Sequence, residues 1–269
     1  MSAKRLIAQA IEKPWGRTNI PSHMASNAIG RIGEIWFSPE REMSLPLLVK
    51  YIFTSEKLSI QVHPSDEQAQ QYGWAGGKSE CWYVLEALPD AKLGIGTTQD
   101  LTPEELRAAA LDGSIEALIE WKSVKPGSFY YIPAGTVHAI GGGVTLVEIQ
   151  QNNDVTFRLY DYGRPRELHL EQGIEVSVAE PYAMRDRIIP MTAEEQLVGA
   201  GAPFTLDMIQ GAAQTCREVN GEMLWFIPLA GYGTVDDQAW RPGECWLIER
   251  GAILAIAEHM SALIARPTL

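Results

Sequence analysis

At 269 residues, with 46% apolar and 21% charged side chains, the chain is globular and long enough for one large domain or two modest ones around a sizeable core. A formal net charge of −12 leaves no basic cluster to displace counterions from a phosphate backbone, which excludes nucleic acid as a partner; an anionic small molecule would need a local basic pocket. The apolar runs are too short to cross a bilayer and the N-terminus has no long apolar leader core, so a cytoplasmic protein with no membrane partner is expected.

In chain order, LPLLVKYIF (45–53) and KLSIQV (57–62) are short, rich in β-branched and aromatic residues, and bounded by turn formers. In the second of these, Gln61 stands two residues before His63, so on a strand both side chains leave the same face. Pro64 follows, then an acidic helix-like start. ECWYVLEA (80–87) is the next strand. Residues 101–121, LTPEELRAAALDGSIEALIEW, break the pattern. Thr102, Pro103 and Glu105 form a capping-box start for a short helix, and Asp112-Gly113 separates it from a second. Strands resume at SFYYIP (128–133), GVTLVEIQQ (143–151) and VTFRLYDYG (155–163), and residues 179–200 are less regular and suit a link between two units. The pattern predicts an all-β sandwich or barrel with a small helical insertion. Cys81, Cys216 and Cys245 are far apart, odd in number and without CxxC spacing, so packing is their expected role.

An internal repeat points to two units. PGSFYYIPAGTVHAI (126–140) aligns without gaps on PGECWLIERGAILAI (242–256), with six identities in fifteen positions including both punctuating glycines. Shared turn grammar is the plainer alternative. The copies differ where His138 in the first stands against Leu254 in the second, so any chemistry carried by His138 is lost from the second unit. Gln61, His63, Glu80 and His138 together offer two imidazoles, a carboxylate and an amide oxygen, a donor set suited to Zn²⁺. Separations of 17 and 58 residues form no compact zinc signature, and each residue alone is as readily a solvated or packed side chain.

Five segments in order carry a family likeness: EKPWGR (12–17), IQVHP (60–64), GGKSECWYVL (76–85), IPAGTVHAI (132–140) and EIQQNNDVTFRLYDYGR (148–164). Together they resemble the motifs of the type I mannose-6-phosphate isomerases, zinc-dependent sugar-phosphate isomerases of the cupin fold, in a short bacterial form. The resemblance implies tandem cupin (jelly-roll, or double-stranded β-helix) modules, 1–178 with the metal site and the insertion at about 101–121, and 179–269 degenerate. It implies one Zn²⁺ per chain on Gln61, His63, Glu80 and His138. It also implies interconversion of mannose 6-phosphate and fructose 6-phosphate through a cis-enediol, with Arg158, Lys78 and Glu148 at the reacting centre and the proton-transfer base either Lys78 or Glu148. Lys57 and Lys125 are weaker candidates for the phosphate. One position departs from the longer members, where a histidine precedes the lysine and this chain has Gly77. A metal-binding cupin that holds sugars without turnover, or an isomerase of another sugar, are the alternatives.

Overall fold

Pleating sends successive side chains to opposite faces of a sheet, so a strand covered on both faces reads as one apolar run. The run at 45–53 is such a strand, Leu47–Phe53, buried along its whole length. The computed structural model that shows this describes residues 2–21, 24, 30–41, 43–211, 215–218, 223–256 and 259–268. Leu47–Phe53 lies inside a seven-stranded antiparallel sheet, in the order Arg187–Ile188, Ser128–Ile132, Glu80–Ala87, Val144–Gln151, Leu47–Phe53, Ile32–Ser38, Ile7–Arg17. A five-stranded sheet faces it: Phe157–Tyr160, Ile60–Val62, His138–Ile140, Lys92–Thr97 and Ile119–Ser123. Trp15, Ile52, Trp82, Leu93, Ile140 and Leu146 fill the space between them.

The opposite face of the large sheet packs Val49, Tyr51, Cys81, Tyr83 and Val147 against Leu206, Trp225, Leu247 and Leu263 of a six-stranded sheet. That sheet runs Ala3–Arg5, Trp246–Ile248, Leu224–Ala230, Ser261–Pro267, Phe204–Gln210, Glu195–Val198. A four-stranded sheet of Thr215–Glu218, Ile253–Ile256, Gly233–Val235 and Gln238–Trp240 closes the second sandwich over Leu224, Phe226, Trp246 and Leu254. The all-β tandem architecture with a small helical insertion is therefore the one adopted.

The repeat is structural, not shared turn grammar alone. Ser128–Ile132 and Trp246–Ile248 sit in the two inner sheets, and His138–Ile140 and Ile253–Ile256 in the two outer ones. The paired glycines adopt the same left-handed backbone, φ 87° at Gly127 and 86° at Gly243, 88° at Gly135 and 85° at Gly251.

Several expectations need adjusting. The strand expected at 57–62 is only Ile60–Val62, and Lys57 before it is drawn out to Glu116. The strand expected at 155–163 stops at Tyr160, because Tyr162 and Gly163 take φ 53° and 76° and turn the chain. The insertion is helical over Pro103–Asp112 and Ile115–Leu118, with the Thr102–Glu105 capping box formed in both directions. Ile119–Ser123 is instead an edge strand, since Ile119 packs under the helices and Trp121 bonds back to the Glu116 carbonyl. Residues 179–200 are more than a link, giving Arg187–Ile188 to one inner sheet and Glu195–Val198 to the other. Ala3–Arg5 crosses to pair with Trp246–Ile248, so the first strand of the chain lies with the second sandwich. Cys81 and Cys245 are buried free thiols in the shared core; the Cys216 side chain lies outside the described residues. Among the described residues no helix is long and apolar enough to cross a membrane.

Candidate metal centre

Helices decide which face of the five-stranded sheet turns inward. Leu106, Ala109, Ile174 and Val176 cover its outside, and the residues they meet are Ile60, Val62, Val137, Ala139, Phe157 and Leu159. Alternation then directs the residues between these positions, Gln61, His138 and Arg158, toward the large sheet. From that sheet the same rule sends Glu80, Trp82, Glu148 and Lys50 inward, opposite to Cys81, Tyr83, Ile149 and Val49. The ladders put His138 beside Gln61, Arg158 beside Gln61, and Glu148 between Lys50 and Trp82.

His63, Glu80 and His138 meet at the bottom of this interior, with potential ligand atoms all within 4.8 Å of one another. Each histidine Nε2 lies 3.5 Å from a different Glu80 oxygen. Their Nδ1 atoms lie 2.8 Å from the carbonyls of Val155 and Thr136. A carbonyl only accepts, so Nδ1 carries the hydrogen in both rings and both Nε2 lone pairs face the carboxylate. Burial pushes the His138 imidazole down to about 4 and His63 well below its ordinary value, the Lys78 charge adding to both, so both rings are neutral at pH 7. Glu80 is pushed up to about 7 by burial and by the Glu148 charge, against the pull of Lys78 and Lys50.

Neither Glu80 oxygen accepts a hydrogen bond, although both are buried. Lys78 Nζ lies 3.1 Å from Oε2 as an ion pair without hydrogen-bond geometry, and 3.0 Å from His63 Nε2. Two imidazole lone pairs converging on a desolvated carboxylate whose oxygens make no hydrogen bond are a donor set that a divalent cation satisfies. These residues therefore fit a metal. Gln61 reaches the same place with its amide nitrogen 3.3 Å from His138 Nε2 and its oxygen accepting from Ser59 at 3.1 Å, so it presents nitrogen where the other three present lone pairs.

Above the cluster lies a cavity of about 220 Å³ lined by Gln61, Lys78, Glu148 and Arg158. Its walls carry the basic groups of Lys13, Lys50, Lys78, Arg158 and Arg166 against the acids Glu34, Glu148 and Asp154, a local basic surplus in an acidic protein. Lys50 Nζ pairs with Glu148 Oε1 at 3.3 Å and sits 4.6 Å from the Trp36 ring centre; Trp82 donates to Glu148 Oε2 at 3.1 Å. Burial raises the Glu148 carboxyl, but the Lys50 and Lys78 charges and the Trp82 bond outweigh it and hold the group below its ordinary value. Arg158 makes no ion pair with Asp154 or Asp161. It donates to the Glu167 carbonyl at 2.6 Å and keeps Nε buried without a partner, while Asp161 takes Arg166 on both oxygens. Lys57 and Lys125 do not line the cavity. At Gly77 a Cβ would fall 2.5 Å from Ser65 C and 2.6 Å from Asp66 N, so no histidine fits there.

Lys50 and Arg166 were absent from the sequence reading. Lys50 had a signal, as the one charge in an otherwise apolar run; Arg166 had none. Two more open grooves, of about 700 and 760 Å³, lie beside the N-terminal strand and beside Trp121, away from the cluster.

Fold and site together define a double cupin with a buried His–Glu–His cluster, of residue types that can hold a metal, in one module. No protein-family model matches the chain. Mannose-6-phosphate isomerase of Streptococcus mutans is 34% identical over 207 residues, 74% of this chain and 65% of that protein. Mannose-6-phosphate isomerase ManA of Bacillus subtilis is 46% identical over 138 residues, 49% of this chain and 44% of its own length. The match thus spans less than two thirds of either relative. A crystal structure of mannose 6-phosphate isomerase from Bacillus subtilis superposes with TM-score 0.81 at 23% identity, covering 99% of this chain and 100% of that one. A zinc-bound mannose 6-phosphate isomerase superposes at 0.71 with 14% identity, covering both chains in full, a likeness of fold. Over the matched region the chain is similar in sequence to mannose-6-phosphate isomerases, and over its full length it shares their fold.

Proposed function

We propose that this chain interconverts mannose 6-phosphate and fructose 6-phosphate, with one Zn²⁺ held by His63, Glu80, His138 and Gln61. The observation that carries the reading is the pair of Glu80 oxygens without a hydrogen bond, facing two imidazole lone pairs behind the Gln61 and Lys78 wall of a basic cavity. Gln61 joins the set through its oxygen if its amide turns over about the last side-chain bond, an exchange of N and O that leaves its shape unchanged. The named relatives are mannose-6-phosphate isomerases, and one solved neighbour is described as zinc bound. When bound, the cation supplies Lewis-acid polarisation of the sugar's C1 and C2 oxygens.

The chain's own groups do the rest. Glu148, held ionised by Lys50 and Trp82, is a carboxylate able to accept the carbon-bound proton in transit between C1 and C2. The Lys78 ammonium lies at the same wall and stabilises negative charge as it develops on oxygen. Arg158, with an unpartnered Nε, and Arg166 offer donors to the substrate's anionic end. Trp15, Ile52 and Leu58 line the same cavity and limit water there. The reading keeps the division at 178/179 for the bulk of each unit, with Ala3–Arg5 and Arg187–Ile188 each lent to the other unit's sheet, the site in the first unit and a structural second unit.

A coupled assay on mannose 6-phosphate before and after chelation tests this. Turnover that disappears with chelator and returns with Zn²⁺ supports the isomerase. A bound metal with no turnover of any aldose or ketose phosphate favours a binding cupin, and activity confined to another sugar moves the substrate assignment.

A further inference from the structure

Lys78 is 3% exposed, yet it sits on a segment between the helix Asp66–Gln71 and the strand Glu80–Ala87 that has no regular structure of its own. Its backbone is tied by the Lys78 N–H donating to the Pro64 carbonyl at 3.0 Å, and side chains hold the residues on either side. Asp66 Oδ1 accepts from the Gly77 N–H at 2.7 Å and from Gln151 Nε2 at 2.9 Å. Gln151 Oε1 accepts from the Ser79 N–H at 2.8 Å, and its own N–H donates to the Ser79 carbonyl at 3.1 Å. Asn153 Nδ2 donates to the Gly76 carbonyl. The residues on both sides of Lys78 are therefore clamped, and the bare Cα of Gly77 lets the segment lie against the Ser65–Asp66 backbone. Behind the clamp, Gln150 Nε2 braces the turn by donating to the Gln151 and Asn153 carbonyls at 2.9 and 3.0 Å. The same turn offers the Val155 carbonyl to His63 Nδ1.

We infer that Asp66, acting through Gln151 and Gly77, is a positioning residue that fixes the Lys78 ammonium between His63 and Glu80. One oxygen of Asp66 receives both hydrogen bonds, so its function here is geometric and its charge is incidental. The consequence for turnover rests on the proposed isomerase reading; the positioning does not.

The test uses the full chain, loaded with Zn²⁺, and labels amines with acetic anhydride, comparing Lys78 with exposed Lys125 by peptide mass spectrometry. Asp66→Ala is expected to raise the relative labelling rate of Lys78 about tenfold, the scale of two lost hydrogen bonds, one part-buried and one exposed. Asp66→Asn keeps an acceptor oxygen at the same place and is expected to label like the wild type. Both variants remove the same negative charge from the first turn of the helix, so a mere helix-dipole role would move both equally. Zinc content is expected to stay at the wild-type level in both, because His63, Glu80 and His138 are anchored on other elements. In the isomerase assay Asp66→Ala should lower kcat more than it raises KM. Wild-type labelling of Lys78 in Asp66→Ala, equal acceleration in both variants, or loss of zinc from both would overturn the inference. Should the wild type turn over no sugar phosphate, the isomerase reading fails and the labelling still decides the positioning.

Discussion

The two sandwiches share a ladder but not an interior. Glu80 pairs with Ile132 where Leu224 pairs with Ile248, and Trp82 pairs with Tyr130 where Phe226 pairs with Trp246. Glu148 opposes Trp82 where Ile264 opposes Phe226, and His138 aligns with Leu254. Glu80, Trp82, Glu148 and His138 of the first unit thus become Leu224, Phe226, Ile264 and Leu254 of the second, all inside one apolar core. The fold tolerates either filling. Buried ionisable groups contribute little to stability unless fully paired, so the polar interior marks chemistry, and the apolar copy shows what the scaffold packs without it.

The largest effect is expected from converting one interior toward the other. His138→Leu, which installs the second unit's residue, should abolish metal binding and reduce turnover by about a thousandfold or more. The melting temperature of the metal-stripped protein should change little, since leucine already packs at the equivalent place. Metal analysis and a thermal melt check both halves; a stoichiometric metal in this variant would break the comparison. Next comes Glu148→Gln, which should lower kcat by about a hundred- to ten-thousandfold, the usual share of a positioned proton-transfer group, with metal content unchanged. Solvent-deuterium incorporation at C2 is the direct readout.

The reverse substitution, Leu254→His, should give no metal site. It places an unpartnered imidazole among Leu224, Phe226 and Ile264 and should destabilise by about 2–3 kcal/mol in denaturant unfolding. The smallest effect separates paired glycines of the same backbone. Gly251→Ala has open space around the new methyl and should cost only the left-handed backbone penalty, about 1 kcal/mol. Gly135→Ala meets Val178 Cγ2 at 3.0 Å and the Val176 carbonyl at 3.3 Å, so it should cost more, about 2 kcal/mol or above. Equal losses at the two sites would show that the surroundings do not matter.

Legibility in the sequence followed the range of the interaction. The Thr102 capping box, the strand Glu80–Ala87 and the repeated glycines were readable because each depends on neighbours in the chain. The edge strand Ile119–Ser123 was read as the end of a helix, because Ile119 and Trp121 fit either period until burial decides between them. The cluster of Gln61, His63, Glu80 and His138 was named from donor chemistry and resemblance; spacing alone left it open. Lys50 and Arg166 passed unnoticed, since a lysine in an apolar run or an arginine in a turn says nothing about which cavity it reaches.

By itself, then, the amino-acid order determined the strand-rich tandem architecture, the insertion, the doubled turn and the residue types able to bind a cation, all of which follow from local periodicity and backbone preference. Only the tertiary structure decided that side chains 17 and 58 residues apart share one buried point, that the buried Glu80 oxygens make no hydrogen bond, and that Lys50 pairs with Glu148. Those outcomes depend on the register between strands distant in the chain and on which sheet face the helices cover, and both are set by packing across the whole molecule.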